Sequence, residues 1–190
     1  MSIYVGFCGA PSSGKTCLAR SMTNALCLKG HNADYVPEYA RFHIARCKQY
    51  PTNNPRNLLH QHMILENQLE WENVISPAVE FVVSDSPVVM TAVYAYSLTD
   101  FTDYNQVAFY HKHYQRILEL KNRYKYLFYL PSTDIEFKTD GLRSQDKERA
   151  QEIGNKIKAF LTFHDILHYE ITGSLDERVN KCLSIMGISS

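Results

Sequence analysis

The sequence predicts an α/β fold with a largely parallel sheet. Two observations carry this: five apolar runs of five to seven residues, rich in β-formers, and helical periods alternating with them. A third is consistent with it: no internal repeat, low-complexity tract or interdomain linker interrupts the 190 residues, so residues 1–190 read as a single domain.

The elements follow in order. Ile3 to Phe7 is a strand stopped by glycine. Gly14 to Leu28 is a helix, with Cys17, Leu18, Met22, Ala25 and Leu26 at near-helical spacing and Gly30 as the stop. Ala33 to Pro37 is a second strand, Tyr39 to Lys48 a helix, and Pro51 to Pro55 a loop. Leu58 to Ile75 is a long helix closed by Ser76-Pro77. Val79 to Val83 is a buried strand that runs on through Ser84 to Asp85, and Val88 to Ser97 and Tyr104 to Lys121 are helices around an Asp-rich turn. Tyr124 to Leu130 is a strand ended by Pro131, residues 132–144 are polar, and Gln145 to Phe163 is a helix. Leu167 to Ile171 and Ser174 to Met186 supply the last strand and helix.

The 20 basic and 20 acidic side chains cancel, which argues against a strongly basic coat protein or an acidic tail. The charges are nevertheless segregated. Residues 1–56 hold seven Lys or Arg against two acids, residues 57–111 hold seven acids and no Lys or Arg, and residues 112–158 hold eleven bases against seven acids. No apolar run has membrane-span length, and Met1–Val5 does not resemble a signal peptide. Cysteines at 8, 17, 27, 47 and 182 are odd in number and lack CxxC spacing, so each reads as a small buried hydrophobe of a reduced, cytoplasmic protein. The pairs His60/His62 and His111/His113 are two residues apart on helices and do not share a face, so they read as helix-surface histidines rather than zinc ligands.

Gly9-Ala10-Pro11-Ser12-Ser13-Gly14-Lys15-Thr16 matches G-x-x-x-x-G-K-[ST] between a strand and a helix, the context of a phosphate loop. The glycines let backbone N–H groups converge on phosphate oxygens, and the following helix adds its positive end. Gly9, Ser12, Ser13, Gly14, Lys15 and Thr16 are the expected cofactor contacts. Lys15 is expected on the β- and γ-phosphates, and Thr16 on Mg²⁺.

The acids narrow the chemistry. Asp85 ends the apolar run Phe81-Val82-Val83-Ser84, on the ligand-bearing edge of a parallel sheet. There it can hold Mg²⁺ or take a proton from an acceptor hydroxyl, and Asp-Ser-Pro also suits a helix entry. Glu38 follows the second strand onto the same edge, as a general base, a magnesium-side ligand or a first-turn acid.

Gly9–Thr16, then Val36-Pro37-Glu38-Tyr39-Ala40-Arg41, then Asp85, then Asp140-Gly141-Leu142-Arg143 together resemble the small P-loop kinases related to the ribosylnicotinamide kinase domain of NadR-type proteins. The resemblance implies a P-loop NTPase fold, with a five-stranded parallel sheet flanked by helices and a mobile lid at about 132–149. It also implies ATP and Mg²⁺ as cofactors, an acceptor-side glutamine at Gln68, and an adenine-side loop at Ile171-Thr172-Gly173-Ser174 that includes Gly173. One departure is Asp85-Ser86-Pro87, where the group often carries Asp-Thr-Asp. Deoxynucleoside kinases offer a looser parallel, with a glutamate after the second strand and an aspartate after the third, and the choice of base between Glu38 and Asp85 stays open.

Arg143, with Gly141 as a hinge, fits a lid cation that stabilises charge spreading over the transferred phosphoryl group. Arg41, Arg46, Lys48 and Arg56 follow Glu38 and would favour a phosphate-bearing acceptor, or simply form a solvated face. Tyr39, Phe42 and Trp71 are candidates to stack on a base. The substrate-side set is Glu38, Tyr39, Arg41, Gln68 and Asp85. The catalytic set is Lys15, Glu38, Asp85 and Arg143. Three readings compete: a kinase for a nucleoside or nucleotide, a phage-type kinase acting on 5-hydroxymethyluridine within DNA, and a nucleotide-dependent switch without an acceptor. The candidate partners are ATP, one of these acceptors and a second copy of the chain; no membrane partner is expected.

Overall fold

The computed structural model describes residues 2–49, 57–131 and 147–189. Five strands form one sheet: β1 (Ile3–Gly9), β2 (Ala33–Val36), β3 (Phe81–Asp85), β4 (Tyr126–Leu130) and β5 (Tyr169–Glu170). Every pairing is parallel and the spatial order is β2-β3-β1-β4-β5. Among the described residues, seven α-helices accompany them: α1 (Lys15–Leu28), α2 (Tyr39–Gln49), α3 (Leu58–Ile75), α4 (Thr91–Leu98), α5 (Tyr104–Glu119), α6 (Lys147–Phe163) and α7 (Leu175–Ile185). This is the expected five-stranded P-loop fold.

The two-residue period of the strands sorts the core into layers. Val5, Phe7, Phe81, Val83, Phe128 and Leu130 point to one face and pack with Leu18, Met22 and Leu26 of α1 and Cys182 and Leu183 of α7. Cys8, Leu127 and Tyr129 point to the other and pack with residues of α3, α4, α5 and α6. With β3 and β4 on either side of β1, the chain reverses its direction of winding at β1, where such sheets place their ligands.

Several boundaries differ from expectation, each for a local reason. The third strand runs Phe81–Asp85 because residues 76–78 form a 3₁₀ turn at Pro77 and Glu80 serves the strand entry, its carbonyl accepting from Ile3 N and its N–H donating to Asn32 O. The fourth begins at Tyr126, since Tyr124 is drawn into the core by its hydroxyl. The last strand shortens to two residues, and α4 is preceded by a 3₁₀ turn at Val88–Met90. Among the described residues, no helix is long and apolar enough to cross a membrane.

Candidate active site

The phosphate loop is shaped by backbone that only particular residues accept. Gly9 has φ 144°, Gly14 φ 88°, and Ser12 itself is left-handed at φ 62°. A Cβ at Gly9 would sit 2.2 Å from the Leu130 carbonyl oxygen, so the close approach of β1 to β4 requires glycine there. Ser13 N donates to Ala10 O at 3.3 Å, closing the turn. Lys15 is buried and its ammonium donates to the carbonyls of Gly9 (3.2 Å) and Ala10 (2.7 Å), across the mouth of the loop.

Thr16, in the first turn of α1, donates from Oγ1 to Asp85 Oδ2 at 2.6 Å. The pairing of Phe7 with Asp85 and of Val36 with Ser84 brings the ends of β1, β2 and β3 to one edge. Asp85 Oδ2 also accepts from Tyr35 Oη at 3.1 Å, while its buried Oδ1 has no hydrogen-bond partner. Burial raises the Asp85 pKa; Lys15 opposes the shift, nearby Glu38 adds to it, and the bonds from Thr16 and Tyr35 oppose it. Burial and the Asp85 charge push the Tyr35 phenol up to about 12, which keeps it a donor. The hydroxyl of Thr16 beside a carboxylate with an orphaned oxygen is an all-oxygen donor set that fits Mg²⁺.

Glu38 stands two residues past β2, half-buried, close enough to influence Asp85 electrostatically. Tyr39 opens α2 and is buried; its ring meets Trp71 edge-on at 4.8 Å and Phe42 at 5.8 Å, and Phe42 meets Trp71 at 5.9 Å. The three aromatics thus form one cluster, with Phe42 half exposed at 52%. Gln68 is buried and spends its amide on the protein: Oε1 accepts from Tyr39 N at 2.8 Å, and Nε2 donates to Pro37 O and Ser84 Oγ, both at 3.3 Å. It clamps the backbone around Glu38 from beneath. Arg41 and Arg46 are exposed on α2. Arg143 and Arg56 lie outside the described residues, as does 132–146 of the expected lid.

A family model described as an AAA domain matches residues 4–178. The chain belongs to this AAA-domain family. A comparison with curated proteins finds no match. Among solved structures, the AAA domain is similar to NadR protein in complex with NAD and AMP-PNP, at TM-score 0.73 and 18% identity over 100% of this chain and 51% of that one. It is also similar to deoxyadenosine kinase from M. mycoides, with TM-score 0.62 and 13% identity over 97% of this chain and 98% of that one. Thymidylate kinase from Candida albicans gives TM-score 0.62 and 14% identity, over 98% and 91%. The chain spans about half the length of the NadR chains it matches. At these identities the likeness is one of fold, and the resemblance to NadR-type kinase domains holds at that level.

Three residues of the AAA domain matter that sequence reasoning did not single out. Tyr35, read only as a strand former, holds Asp85. Arg178, buried on α7, donates from Nε to Gly173 O (2.8 Å) and from NH1 to Ser13 O (3.1 Å), joining the expected adenine-side loop to the phosphate loop. Glu72 is fully buried on α3 and accepts from Ser84 Oγ (2.6 Å), Tyr124 Oη (2.8 Å) and Arg123 Nε (2.7 Å). Helix α3 carries three glutamates, Glu66, Glu70 and Glu72, and residue type alone does not set the buried one apart from the other two. The four-residue spacing of Gln68 and Glu72 puts two polar positions on the buried side of α3, and that spacing is the cue the sequence offers.

Two expectations need correction. His113 is fully buried, with its Nδ1 3.4 Å from His62 Nδ1, because α5 packs against α3 there; it is not a helix-surface histidine. Cys17 and Cys27 are exposed on α1 rather than buried.

Proposed function

We propose that the protein is an ATP- and Mg²⁺-dependent kinase that passes the γ-phosphoryl group to a hydroxyl of a nucleoside- or nucleotide-type acceptor. The observation that supports this reading is Asp85, which accepts from Thr16 and lies within electrostatic reach of both Lys15 and a second carboxylate, Glu38. A switch needs only one of the two acids; a kinase uses a second to receive the acceptor proton.

In this reading the ammonium of Lys15 leaves the carbonyls of Gly9 and Ala10 for the β- and γ-phosphates. Thr16 and Asp85 would hold Mg²⁺, which supplies charge neutralisation between the phosphates. Asp85 Oδ2 is already committed to Thr16 and Tyr35, which supports Glu38 as the base. Tyr39, Phe42 and Trp71 supply apolar surface for the acceptor base, Arg41 lies on the same helix for an acceptor phosphate, and Gln68 fixes the backbone beside Glu38. Gly173 borders the adenine side. Arg143 supplies the lid cation, and residues 1–190 act as one catalytic unit.

The test is transfer of label from γ-labelled ATP to a panel of nucleosides, mononucleotides and DNA, with Lys15→Ala as control. Label on the small acceptors, lost in the variant, supports the proposal. Label on DNA alone would replace it with the polymer kinase. ATP hydrolysis with label on no acceptor would replace it with the switch.

A further inference from the structure

A second constellation lies between α2 and α3. Tyr39, His43 and Cys47 are the buried residues of α2, spaced four apart, so they form one stripe against its neighbour. His60 faces them from the first turn of α3, where its backbone N–H is held by the Asn57 side chain at 3.0 Å. His43 Nε2 lies 2.5 Å from His60 Nδ1, and Cys47 Sγ lies 3.7 Å from the former and 3.9 Å from the latter. Three ligand atoms from two helices therefore converge on one point, and two of the three side chains are buried.

The donor set is informative. A thiol and two imidazoles are soft to borderline ligands that suit zinc and do not suit Mg²⁺ or Ca²⁺. Around tetrahedral zinc, bond lengths of about 2.3 Å to sulfur and about 2.0–2.1 Å to nitrogen put sulfur and nitrogen about 3.6 Å apart, close to the two separations seen here. The same lengths put two nitrogens about 3.3 Å apart, so the imidazoles need part by only about 0.8 Å.

We infer that His43 Nε2, Cys47 Sγ and His60 Nδ1 form a zinc site, with water in the fourth position. Binding breaks the S–H bond of Cys47, forms a sulfur–zinc bond and releases the proton to solvent; no electron is transferred. The ion ties α2 to α3 across the intervening segment. Because Tyr39 is one turn from His43 and Trp71 is on α3, it also steadies the aromatic cluster. The inference does not depend on the kinase reading.

The test is titration of the reduced, chelator-treated protein with Co²⁺, followed by Zn²⁺. The expected result is a thiolate-to-cobalt charge-transfer band that saturates at about one ion per chain and disappears on zinc addition. Cys47→Ser should abolish the band and weaken zinc binding at least about 100-fold. His60→Gln gives a second route to the same loss should Cys47→Ser fail to fold. The double variant Cys17→Ser/Cys27→Ser, which removes the exposed thiols, should keep the band. No band in the wild type, a band that survives in folded Cys47→Ser, or one lost in the double variant overturns the site and leaves an imidazole–imidazole hydrogen bond.

Discussion

Thr16 Oγ1 and Asp85 Oδ2 are 2.6 Å apart, which ties the first turn of α1 to the last residue of β3. Asp85→Asn keeps an acceptor for Thr16 and Tyr35 but removes the charge. Its kcat should fall by about 10²–10³, as for loss of one preorganised electrostatic group, and its activity should demand more Mg²⁺. Steady-state rates across a Mg²⁺ series check this. Wild-type Mg²⁺ dependence in the variant would remove Asp85 from the metal side.

Glu38→Gln should behave differently. Losing a general base costs about 10²–10⁴ in rate without weakening ATP. Equilibrium binding of a non-hydrolysable ATP analogue, measured beside single-turnover transfer, separates the two. A variant with weakened nucleotide binding and an unchanged chemical step would exclude Glu38 as the base.

Trp71→Ala should raise the acceptor KM while leaving the ATP KM unchanged. Base stacking on an aromatic side chain is worth about 1–3 kcal/mol, so the rise should be roughly five- to 150-fold. An equal rise for ATP and acceptor would mean that the Tyr39–Phe42–Trp71 cluster supports the whole fold rather than the acceptor.

Glu72→Ala should be destabilising by about 3–5 kcal/mol, because it takes the carboxylate from the half-buried Arg123, which keeps only its hydrogen bond to Asn73, and leaves the buried hydroxyls of Ser84 and Tyr124 without their acceptor. Denaturant unfolding measures it. The partner variant Arg123→Met, which removes the charge but fills the volume, should cost less in the Glu72→Gln background than in the wild type.

Stability should also fall on the acid side of neutrality. Burial lowers the His113 pKa to about 4 from an unfolded value of 6.5, so the unfolded chain takes up its proton first as pH falls. The contribution is fully present above pH 6.5 and is lost toward pH 4, by about 3 kcal/mol in all. His113→Leu should flatten that limb of the stability–pH curve. An unchanged slope would show that His113 does not control it.

The parts of the molecule that sequence made legible are those with local rules. The phosphate loop announces itself because its glycines and Lys15 are required by geometry within eight residues, and Asp85 because an acid closes an apolar strand. Helix α3 appears at its expected bounds because a long run rich in Leu, Met, Gln and Glu, all good helix formers, ends at Ser76-Pro77. The parts that stayed hidden depend on pairing across the chain. Tyr35 and Asp85 are 50 residues apart and Arg178 and Ser13 are 165 apart, and no local pattern reports such meetings. Gln68 came from resemblance alone as an acceptor contact, whereas its hydrogen bonds show a residue that holds other residues.

The bridge from Arg178 to Ser13 has a consequence for biosynthesis. The nucleotide cradle is encoded at the start of the chain, yet one of the carbonyls beneath it is held by a guanidinium that is translated 165 residues later. Until α7 emerges and docks on α1, that support is missing. A nascent or C-terminally truncated chain would therefore carry a complete glycine-rich motif and still grip phosphate poorly, so that competence arrives only when the last helix has closed over the first.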